Sequence, residues 1–380
     1  MAKAITKIKW KHYINYIAVA LLTVIFAVMS FGGMLTSSTI YLLEKIAIAI
    51  LLAVSLSIVV GFLGELSLGH AGFMCVGAYL GGKTSCILEP ILGNGFLTLV
   101  ISLIIGGAAA AVCGVIIGLP ALRLKGDYLA TVTLAFGEIV RSLFMNSSDE
   151  SFGGSLGLNT PRYDKNTLFI IALVLVLCCL AIMQNIIRSK HGRAITSIRD
   201  NEIAARATGI NVTKYKLSVF TISAFFAGIA GVLYSYSNYT VQSTKFSYNY
   251  SIEILVMVVL GSMGSINGSI IAATLITFLD IKLQTILTGN LAVLQDLFYA
   301  LILIILVIYN NAPSLKSFRE THSLKTAINK LIKRKHDPSS QADDEAKWDR
   351  VPTKIEMNEV LSVEIQPTMS TIDPDRKENE

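Results

Sequence analysis

The sequence predicts an all-α polytopic membrane protein with about ten transmembrane segments. Its composition and its apolar runs both indicate this class. Apolar residues make up 53% of the 380 residues and charged residues only 15%, and the mean hydropathy is +0.61. Soluble domains average about 25% charged residues, so a pair of soluble domains is excluded. Apolar runs of about 20 residues, the length that a helix needs to cross the hydrocarbon core, recur along the chain.

The first apolar run, 14–33, follows a lysine-rich start that resembles a signal peptide. It is longer than the roughly 7–15 residues of a signal-peptide core, and no clear small-residue cleavage site follows it. We therefore predict an uncleaved first segment with the N-terminus in the cytoplasm.

Regular membrane-spanning helices are predicted at 14–33, 41–62, 96–119, 128–146, 167–187, 217–237 and 291–309. Two further runs, 65–82 and 251–280, are apolar but interrupted by glycines, and we call them the Gly-broken regions. We count 66–82 as one segment. The second region is long enough for two segments if the chain breaks near Gly264.

Charge decides between nine and ten segments, because Lys and Arg near segment ends stay in the cytoplasm. The flank after Asn310 is basic, so the C-terminus is predicted to lie inside, like the N-terminus. Two cytoplasmic ends require an even number, so 251–280 is counted as two segments. The same count places the basic polar stretch 188–216 in the cytoplasm. The net charge of +6 thus reflects orientation, and no nucleic-acid partner is expected.

The two Gly-broken regions share a G-x-x-G step, at 61–64 and 261–264, which is followed by polar residues. Such paired segments predict a transport path made from discontinuous helices, running here between 61–80 and 258–270. Its candidate polar liners are Ser67, His70, Ser265 and Asn267. Alternatively, the glycines only permit close helix packing. A packing or hydrogen-bonding role is favoured for His70, because no neighbouring Asp or Cys supports a catalytic one.

Glu138 and Arg141 lie near the middle of a predicted segment and share a helix face. Ionisable groups inside a membrane are costly, so the two are expected to neutralise each other or to face a water-filled path. A direct substrate or proton role stays open. Other charged residues lie near segment ends, where water or the membrane interface is expected: Glu44, Lys45, Glu253, Asp280, Lys282 and Asp296.

The stretch 188–216 has a pattern that predicts a folded cytoplasmic element. Ser197 and Asp200 have the spacing of a capping box, and Gly209 can end a helix in the left-handed conformation. A structured basic loop in a membrane protein usually meets a partner. We predict that 192–210 docks a partner subunit through Arg193, Arg199, Asp200, Glu202, Ala204, Ala205 and Gly209.

Several other motifs carry little chemistry. Residues 77–84 match the P-loop pattern G-x-x-x-x-G-K-T, but they end a membrane segment, so the match is read as coincidence. The five cysteines show no metal-binding spacing, and no metal or cofactor is expected on this chain. The glycines of 152–158 predict either an anion-binding nest or a plain flexible loop.

The domain organisation predicted from these features has three parts. Residues 1–310 form the transmembrane domain, with the cytoplasmic element at 188–216. Residues 311–336 form a basic amphipathic segment on the membrane surface. Residues 337–380 form an acidic disordered tail, whose role is open.

Five stretches together resemble the M-type permease subunit of bacterial ABC importers for branched-chain amino acids. They are GFLGELSLGHAGF at 61–73, GDYLATVTLAFGEIVR at 126–141, GGSLGL at 153–158, GRAITSIRDNEIAARATGINVTKYKL at 192–217 and VLGSMGSINGSIIA at 259–272. The fourth is the most specific, and it departs from the family pattern at Ser197, where the family has alanine. The resemblance covers about 40–310.

The resemblance implies an importer of branched-chain or other aliphatic amino acids in the bacterial inner membrane. It implies a second permease subunit, two cytosolic ATPase subunits that use ATP, and an external solute-binding protein. Residues 192–210 would then couple this chain to the ATPase. Permeases for sugars or for urea and amides share such Gly-rich segments and stay open. A proton- or sodium-coupled carrier is an alternative from another class, whereas a membrane enzyme lacks any nucleophile–base or metal cluster.

Overall fold

The computed structural model describes residues 36–286 except 94, 125 and 162, together with 19, 23, 25, 26, 29, 30, 32, 300, 301 and 304. All of them belong to the first of two units, 1–310, into which the chain divides. The predicted amphipathic segment 311–336 and the acidic tail 337–380 lie outside the described residues. The predicted segments 14–33 and 291–309 also lie mostly outside them.

The described part is mostly helical, as predicted. Helix α1 spans Ser37–Ser57 and runs on as a π-helix, Ile58–Leu63. The helices that follow are α2 His70–Leu92, α3 Phe96–Ala121, α4 Asp127–Met145, α5 Asp149–Phe152, α6 Lys165–Arg188, α7 Lys190–Asp200, α8 Glu202–Ala207, α9 Val212–Asn238, α10 Tyr248–Leu260 and α11 Ile266–Ile286. A 3-10 turn, Ser243–Phe246, precedes α10. Two short antiparallel strands, β1 Leu158–Asn159 and β2 Thr240–Val241, pair Leu158 with Val241.

Within the described residues, six helices are long and apolar enough to cross a membrane: 37–63, α3, α4, α6, α9 and α11. Helix α2 has 23 residues, about 34 Å at 1.5 Å per residue. It is less apolar because it carries His70, Lys83 and several glycines. Helix α10 has 13 residues. The total of ten segments stays a prediction.

Helix α9 lies at the centre of the bundle and packs against α1, α2 and α3, and α2 and α3 also pack on each other. Small residues let these helices approach closely: a Cβ added at Gly77 of α2 would lie 2.5 Å from the Cα of Gly228 in α9. Helices α3, α4, α6 and α11 lie further out and expose apolar side chains such as Ile104, Val174 and Ile271. Such surfaces suit contact with lipid or with other membrane subunits.

Local hydrogen bonds and aromatic stacking stabilise the start of α6 and join α2 to its neighbours. Asp164 caps α6 by accepting hydrogen bonds from the Thr167 amide (3.0 Å) and hydroxyl (2.7 Å). These bonds to the carboxylate, first that from the hydroxyl, lower the pKa of Asp164. Tyr79 stacks on Phe144 with ring centroids 4.3 Å apart and donates to the Val241 carbonyl at 3.0 Å. This contact ties α2 to α4 and to β2.

Candidate functional site

The chain leaves helical geometry at 64–69, between the π-helix and α2, and at 261–265, between α10 and α11. Gly64 and Gly264 have φ values of +81° and +87°. Side chains other than that of glycine are disfavoured in this left-handed region, so the glycines allow both breaks. We call them the first break (64–69) and the second break (261–265).

The two breaks meet at one end of the bundle. A Cβ added at Gly61, in the π-helix just before the first break, would lie 2.6 Å from the Gly264 nitrogen. Real Cβ atoms do not approach backbone so closely, and the two backbones therefore pack directly on each other. At Gly61 the structure favours the packing explanation of the glycines.

The cytoplasmic element predicted from the sequence reaches this junction through Arg199. Its Nη1 donates to the Gly61 carbonyl at 3.1 Å, and its Cγ lies 2.6 Å from the position that a Cβ of Gly64 would take. Its Nε and Nη2 also donate to Asp200 Oδ1, at 3.0 and 2.9 Å. A carbonyl at a helix end lacks its intrahelical partner, and the guanidinium supplies one.

A second anchor is Lys216 of α9, whose side chain is 4% exposed. Its ammonium forms ion pairs with Glu65 of the first break and with Glu202 of α8, the latter at 3.2 Å. Glu202 also pairs with Arg206 one turn later. We call Glu65, Lys216, Glu202 and Arg206 the ion network. It joins the first break, α8 and α9, although Glu65 and Lys216 are 151 residues apart in the sequence.

The predicted cytoplasmic element consists of two helices, and the residues that cap their N-termini differ from the predicted one. Ser189 accepts from the His191 amide at 3.1 Å and begins α7. Asn201 accepts from the amides of Ile203 and Ala204 at 3.0 Å and begins α8. The capping box predicted at Ser197 is wrong, because Ser197 lies inside α7 and bonds the Ala194 carbonyl. The left-handed conformation predicted for Gly209 is confirmed by its φ of +85°.

The docking residues predicted on α8 face different ways. Ala204 is exposed, but Ala205 is 3% exposed and packs in the core of this chain. Ala205 therefore has no surface for a partner in this conformation, which corrects the prediction. Ile203, which the sequence analysis did not single out, is 77% exposed. Arg193, Arg199 and Asp200 are exposed as well. The signal for Ile203 was present in the sequence: it is an isoleucine on a short, otherwise polar helix that follows a capping asparagine.

The candidate path residues are held in the fold rather than lining an open channel. Ser67 and His70 are each 2% exposed. The His70 Nε2 and Ser55 Oγ share a hydrogen bond of 2.8 Å, which agrees with the hydrogen-bonding role predicted. Ser67 Oγ has no hydrogen-bond partner among the described residues. Nearby, hydroxyls of other helices bind the backbone of this segment: Thr133 accepts from Leu68 N at 3.0 Å, and Ser251 from Ala71 N at 3.1 Å.

The second break is more open than the first. Ser265 is half-buried and accepts from the Gly268 amide at 3.2 Å, and Asn267 is exposed. Of the four candidate liners, Ser265 and Asn267 reach the surface of this chain, whereas Ser67 and His70 are buried.

Thiol labelling distinguishes a water path from packing at this junction. In a variant without native cysteines, we expect Ser265→Cys to react readily with a small water-soluble maleimide in the resting state. Ser67→Cys should react at least about tenfold more slowly, because labelling a buried thiol requires local opening. Rapid labelling of both positions would show that water enters the junction and that the glycines do more than allow packing.

Glu138 and Arg141 form the predicted ion pair, with 2.7 Å between Oε2 and Nε. The other carboxylate oxygen of Glu138 accepts from the Tyr248 amide at 2.9 Å, at the first residue of α10. A carboxylate at a helix N-terminus satisfies an orphan amide and opposes the positive end of the helix dipole. The pair therefore joins α4 to α10, and a role in a substrate path stays a prediction.

Glu44 corrects the expectation that it lies at an interface. It is 2% exposed, and one carboxylate oxygen accepts from the Ser237 hydroxyl at 2.9 Å. Its other oxygen has no hydrogen-bond partner within the described part of the chain. Sequence position alone could not reveal this burial, because it results from the packing of α9 on α1.

Two further sequence motifs are placed by the fold. Residues 77–84, which match the P-loop pattern, lie inside the continuous helix α2. A helix interior offers no loop of free amides for phosphate, which confirms the reading as coincidence. Among the described residues, no group of three or more His, Cys, Asp or Glu side chains could hold a metal ion.

The chain is similar to known membrane transport proteins. The protein family described as "Branched-chain amino acid transport system / permease component" matches residues 38–309. The high-affinity branched-chain amino acid transport system permease protein LivM of Salmonella typhimurium (strain LT2) is 38% identical over 261 residues, 60% of each chain. LivM of Escherichia coli (strain K12) is 36% identical over 274 residues, 64% of this chain and 63% of the relative.

A more distant relative covers more of the chain. The ribose import permease protein RbsC of Escherichia coli (strain K12) is 25% identical over 312 residues, 78% of this chain and 92% of the relative. This chain spans about three fifths of the length of the two LivM proteins. No solved structure matches the chain significantly.

Proposed function

Because the chain belongs to the family of permease components of the branched-chain amino acid transport system, we propose that it imports branched-chain or other aliphatic amino acids as the membrane-spanning subunit of an ATP-driven importer. The LivM relatives support this substrate class. ATP hydrolysis belongs to separate partner subunits, and this chain binds no cofactor.

The observation that carries the proposal is the anchoring of the cytoplasmic element to the first break. Arg199 holds α7 against Gly61, and the ion network holds α8 against Glu65. A push or pull on α8 therefore acts directly on the point where the membrane helices change direction. Ile203 and Arg206 stand on the exposed side of α8, where an apolar anchor with charged neighbours suits a protein partner.

The proposed assembly contains a second permease subunit, two cytosolic ATPase subunits and an external solute-binding protein. Exposed apolar faces on α3, α4 and α11 offer surface for the lipid bilayer and the second permease. We place the importer in the bacterial inner membrane with both termini in the cytoplasm. In that orientation both breaks and the ion network lie on the cytoplasmic side.

A second candidate is import of a sugar by the same ATP-driven mechanism. It is favoured by the match to a ribose permease over nearly that protein's whole length. The two candidates share the coupling mechanism and differ only in the substrate. An ion-coupled carrier would need a titratable carboxylate inside the bundle, and Glu44 is the buried carboxylate that such a mechanism would use.

Uptake into vesicles that contain the assembled complex and its binding protein separates these possibilities. We expect accumulation of leucine that requires ATP and persists when the proton and sodium gradients are collapsed. Accumulation of ribose in place of leucine would reject the amino-acid substrate but would remain consistent with ATP-driven import. Leucine uptake driven by an ion gradient without ATP would contradict the proposal.

Replacing Ile203 with aspartate tests the docking surface. We expect leucine uptake to fall at least about tenfold, because a buried interface anchor typically contributes more than 1.4 kcal/mol. Membrane insertion should be unchanged, since Ile203 is 77% exposed in this chain.

The matched control is Leu124→Asp, a partly exposed leucine after α3 that the same topology places in the cytoplasm. Normal uptake and normal substrate-stimulated ATP hydrolysis in the Ile203 variant would contradict the docking role. A bulky substitution at Ala205 is unsuitable for this test, because it would disturb the core of this chain.

A further inference from the structure

A polar cavity lies at the other end of the bundle from the two breaks. Its volume is about 390 Å³, within the range of small-molecule sites. It is lined by parts of α1, α9, α10, α11 and the 3-10 turn before α10. Lys45 of α1 lines the cavity, and Gly61, at the junction of the two breaks, lies sixteen residues later. At the helical rise this separation is about 24 Å.

Charges of both signs line this cavity. Lys45 and Lys245 contribute ammonium groups, and Glu253 and Asp280 contribute carboxylates. The carboxylates come from α10 and α11, whereas Lys45 comes from α1 and Lys245 from the 3-10 turn. Tyr250 of α10 also lines the cavity. A ligand with one positive and one negative group can meet a complementary charge at each end.

The Lys45 ammonium is held in place. It donates to Asn238 Oδ1 at 2.8 Å and lies 4.1 Å from the ring centroid of Tyr234 and 5.2 Å from that of Tyr41. Cation–π contacts and one hydrogen bond fix the position of the nitrogen. A fixed cation of this kind is pre-organised for an incoming carboxylate.

Apolar side chains complete the lining. Ile48 and Ala49 of α1, Met257 of α10 and Ile281 of α11 face the same cavity. Unbranched methionine and small alanine leave room for an aliphatic group beside the charges. The lining thus offers a cation, an anion and an apolar surface, which complement the carboxylate, the ammonium and the side chain of an aliphatic amino acid.

We propose that this cavity is an external binding site for a small aliphatic zwitterion, with Lys45 and Lys245 facing its carboxylate and Glu253 and Asp280 facing its ammonium. The site rests on the proposed function for its role in import, but its binding can be measured without transport. Side chains form this site, and it lies at the opposite end of the bundle from the junction of the two breaks. The predicted topology places this end of the bundle on the external side of the membrane.

The test uses protection of a cysteine at Thr277, a half-buried residue in the cavity lining. The complex carries Thr277→Cys in a variant without native cysteines, in right-side-out vesicles, and a water-soluble maleimide is the label. Leucine at four times its Kd should slow labelling by about fivefold, the factor expected if the occupied site does not react. Labelling of Ser155→Cys, an exposed position in an external loop, should be unaffected.

Two single-charge analogues define the chemistry. 3-Methylbutylamine lacks the carboxylate of leucine and 4-methylpentanoate lacks its ammonium, so each should protect less than about twofold at the same concentration. Adding Lys45→Gln or Asp280→Asn to the Thr277→Cys variant should remove protection by leucine. Equal protection by an analogue, protection by ribose, or no protection by leucine would overturn the proposal. Protection that depends on phosphatidylethanolamine in the vesicles and not on leucine would assign the site to a lipid headgroup and would also overturn it.

This experiment separates the site from the importer mechanism. ATP-driven leucine uptake without protection at Thr277→Cys would reject the site and leave the proposed function. Protection by leucine without ATP-driven uptake would support the site and reject the proposed function.

Discussion

Replacing Lys216 with methionine should lower the free energy of unfolding by about 3–5 kcal/mol, the effect of removing one partner from a buried ion pair. Lys216 is 3% exposed, and its loss leaves Glu65 and Glu202 facing each other without the intervening cation. Chemical unfolding of the purified chain in mixed micelles measures this change. Leucine uptake by the complex should be lost as well, because α8 is no longer held to the first break.

The matched control is Lys214→Met, an exposed lysine two residues earlier on the same helix. It should change the free energy of unfolding by less than about 0.5 kcal/mol. Combining Lys216→Met with Glu65→Gln and Glu202→Gln should restore most of the stability, because the uncompensated charges are removed. Uptake should remain low in this triple variant if the ion network transmits motion. A fully stable Lys216→Met single variant would contradict the buried pairing.

Replacing Gly77 with alanine should destabilise the bundle by about 3 kcal/mol, the upper end of the usual range for overpacking. A Cβ at this position would overlap the Gly228 carbonyl oxygen and lie 2.5 Å from the Gly228 Cα. Both contacts are with backbone, so no side chain can rotate away, and α2 and α9 must separate. The better helix propensity of alanine, about 1 kcal/mol, does not offset this separation.

Gly95→Ala is the control, because no heavy atom of the described residues lies within 4 Å of its added Cβ. It begins α3, and its substitution should cost less than about 1 kcal/mol. The temperature at which each variant aggregates in detergent, compared with the unfolding free energy in mixed micelles, checks both expectations. A Gly77→Ala variant as stable as Gly95→Ala would show that α2 and α9 are further apart than the structure has them.

The ion network and the polar cavity lie at opposite ends of the bundle and differ in their chemistry. At one end, Arg199 and Lys216 hold the cytoplasmic element to backbone that has left the helix. At the other end, Lys45 is held by Asn238 and two tyrosine rings beside an open cavity. Helices α1 and α9 contribute to both ends. A rotation or shift of these two helices would therefore change the cavity and the contacts of α8 together.

The sequence by itself determined the positions of three membrane helices closely. The predicted segments 96–119, 128–146 and 167–187 correspond to α3, α4 and α6 within two residues at each end. This succeeds because a spanning helix satisfies its own backbone and is specified by a local run of apolar residues. The left-handed Gly209 and the Glu138–Arg141 pair were also predictable, because each depends on residues less than one turn apart.

Only the tertiary structure decided which polar residues act together. Glu65 meets Lys216 and Gly61 meets Gly264 across more than 150 residues of sequence, and no local pattern records such a pairing. The same reason explains the errors: Ala205 turns inward and Glu44 is buried because of helices that pack on them from elsewhere in the chain. Apolar character is a property of a segment and can be read from it, whereas burial and ion pairing are properties of two segments brought together by folding.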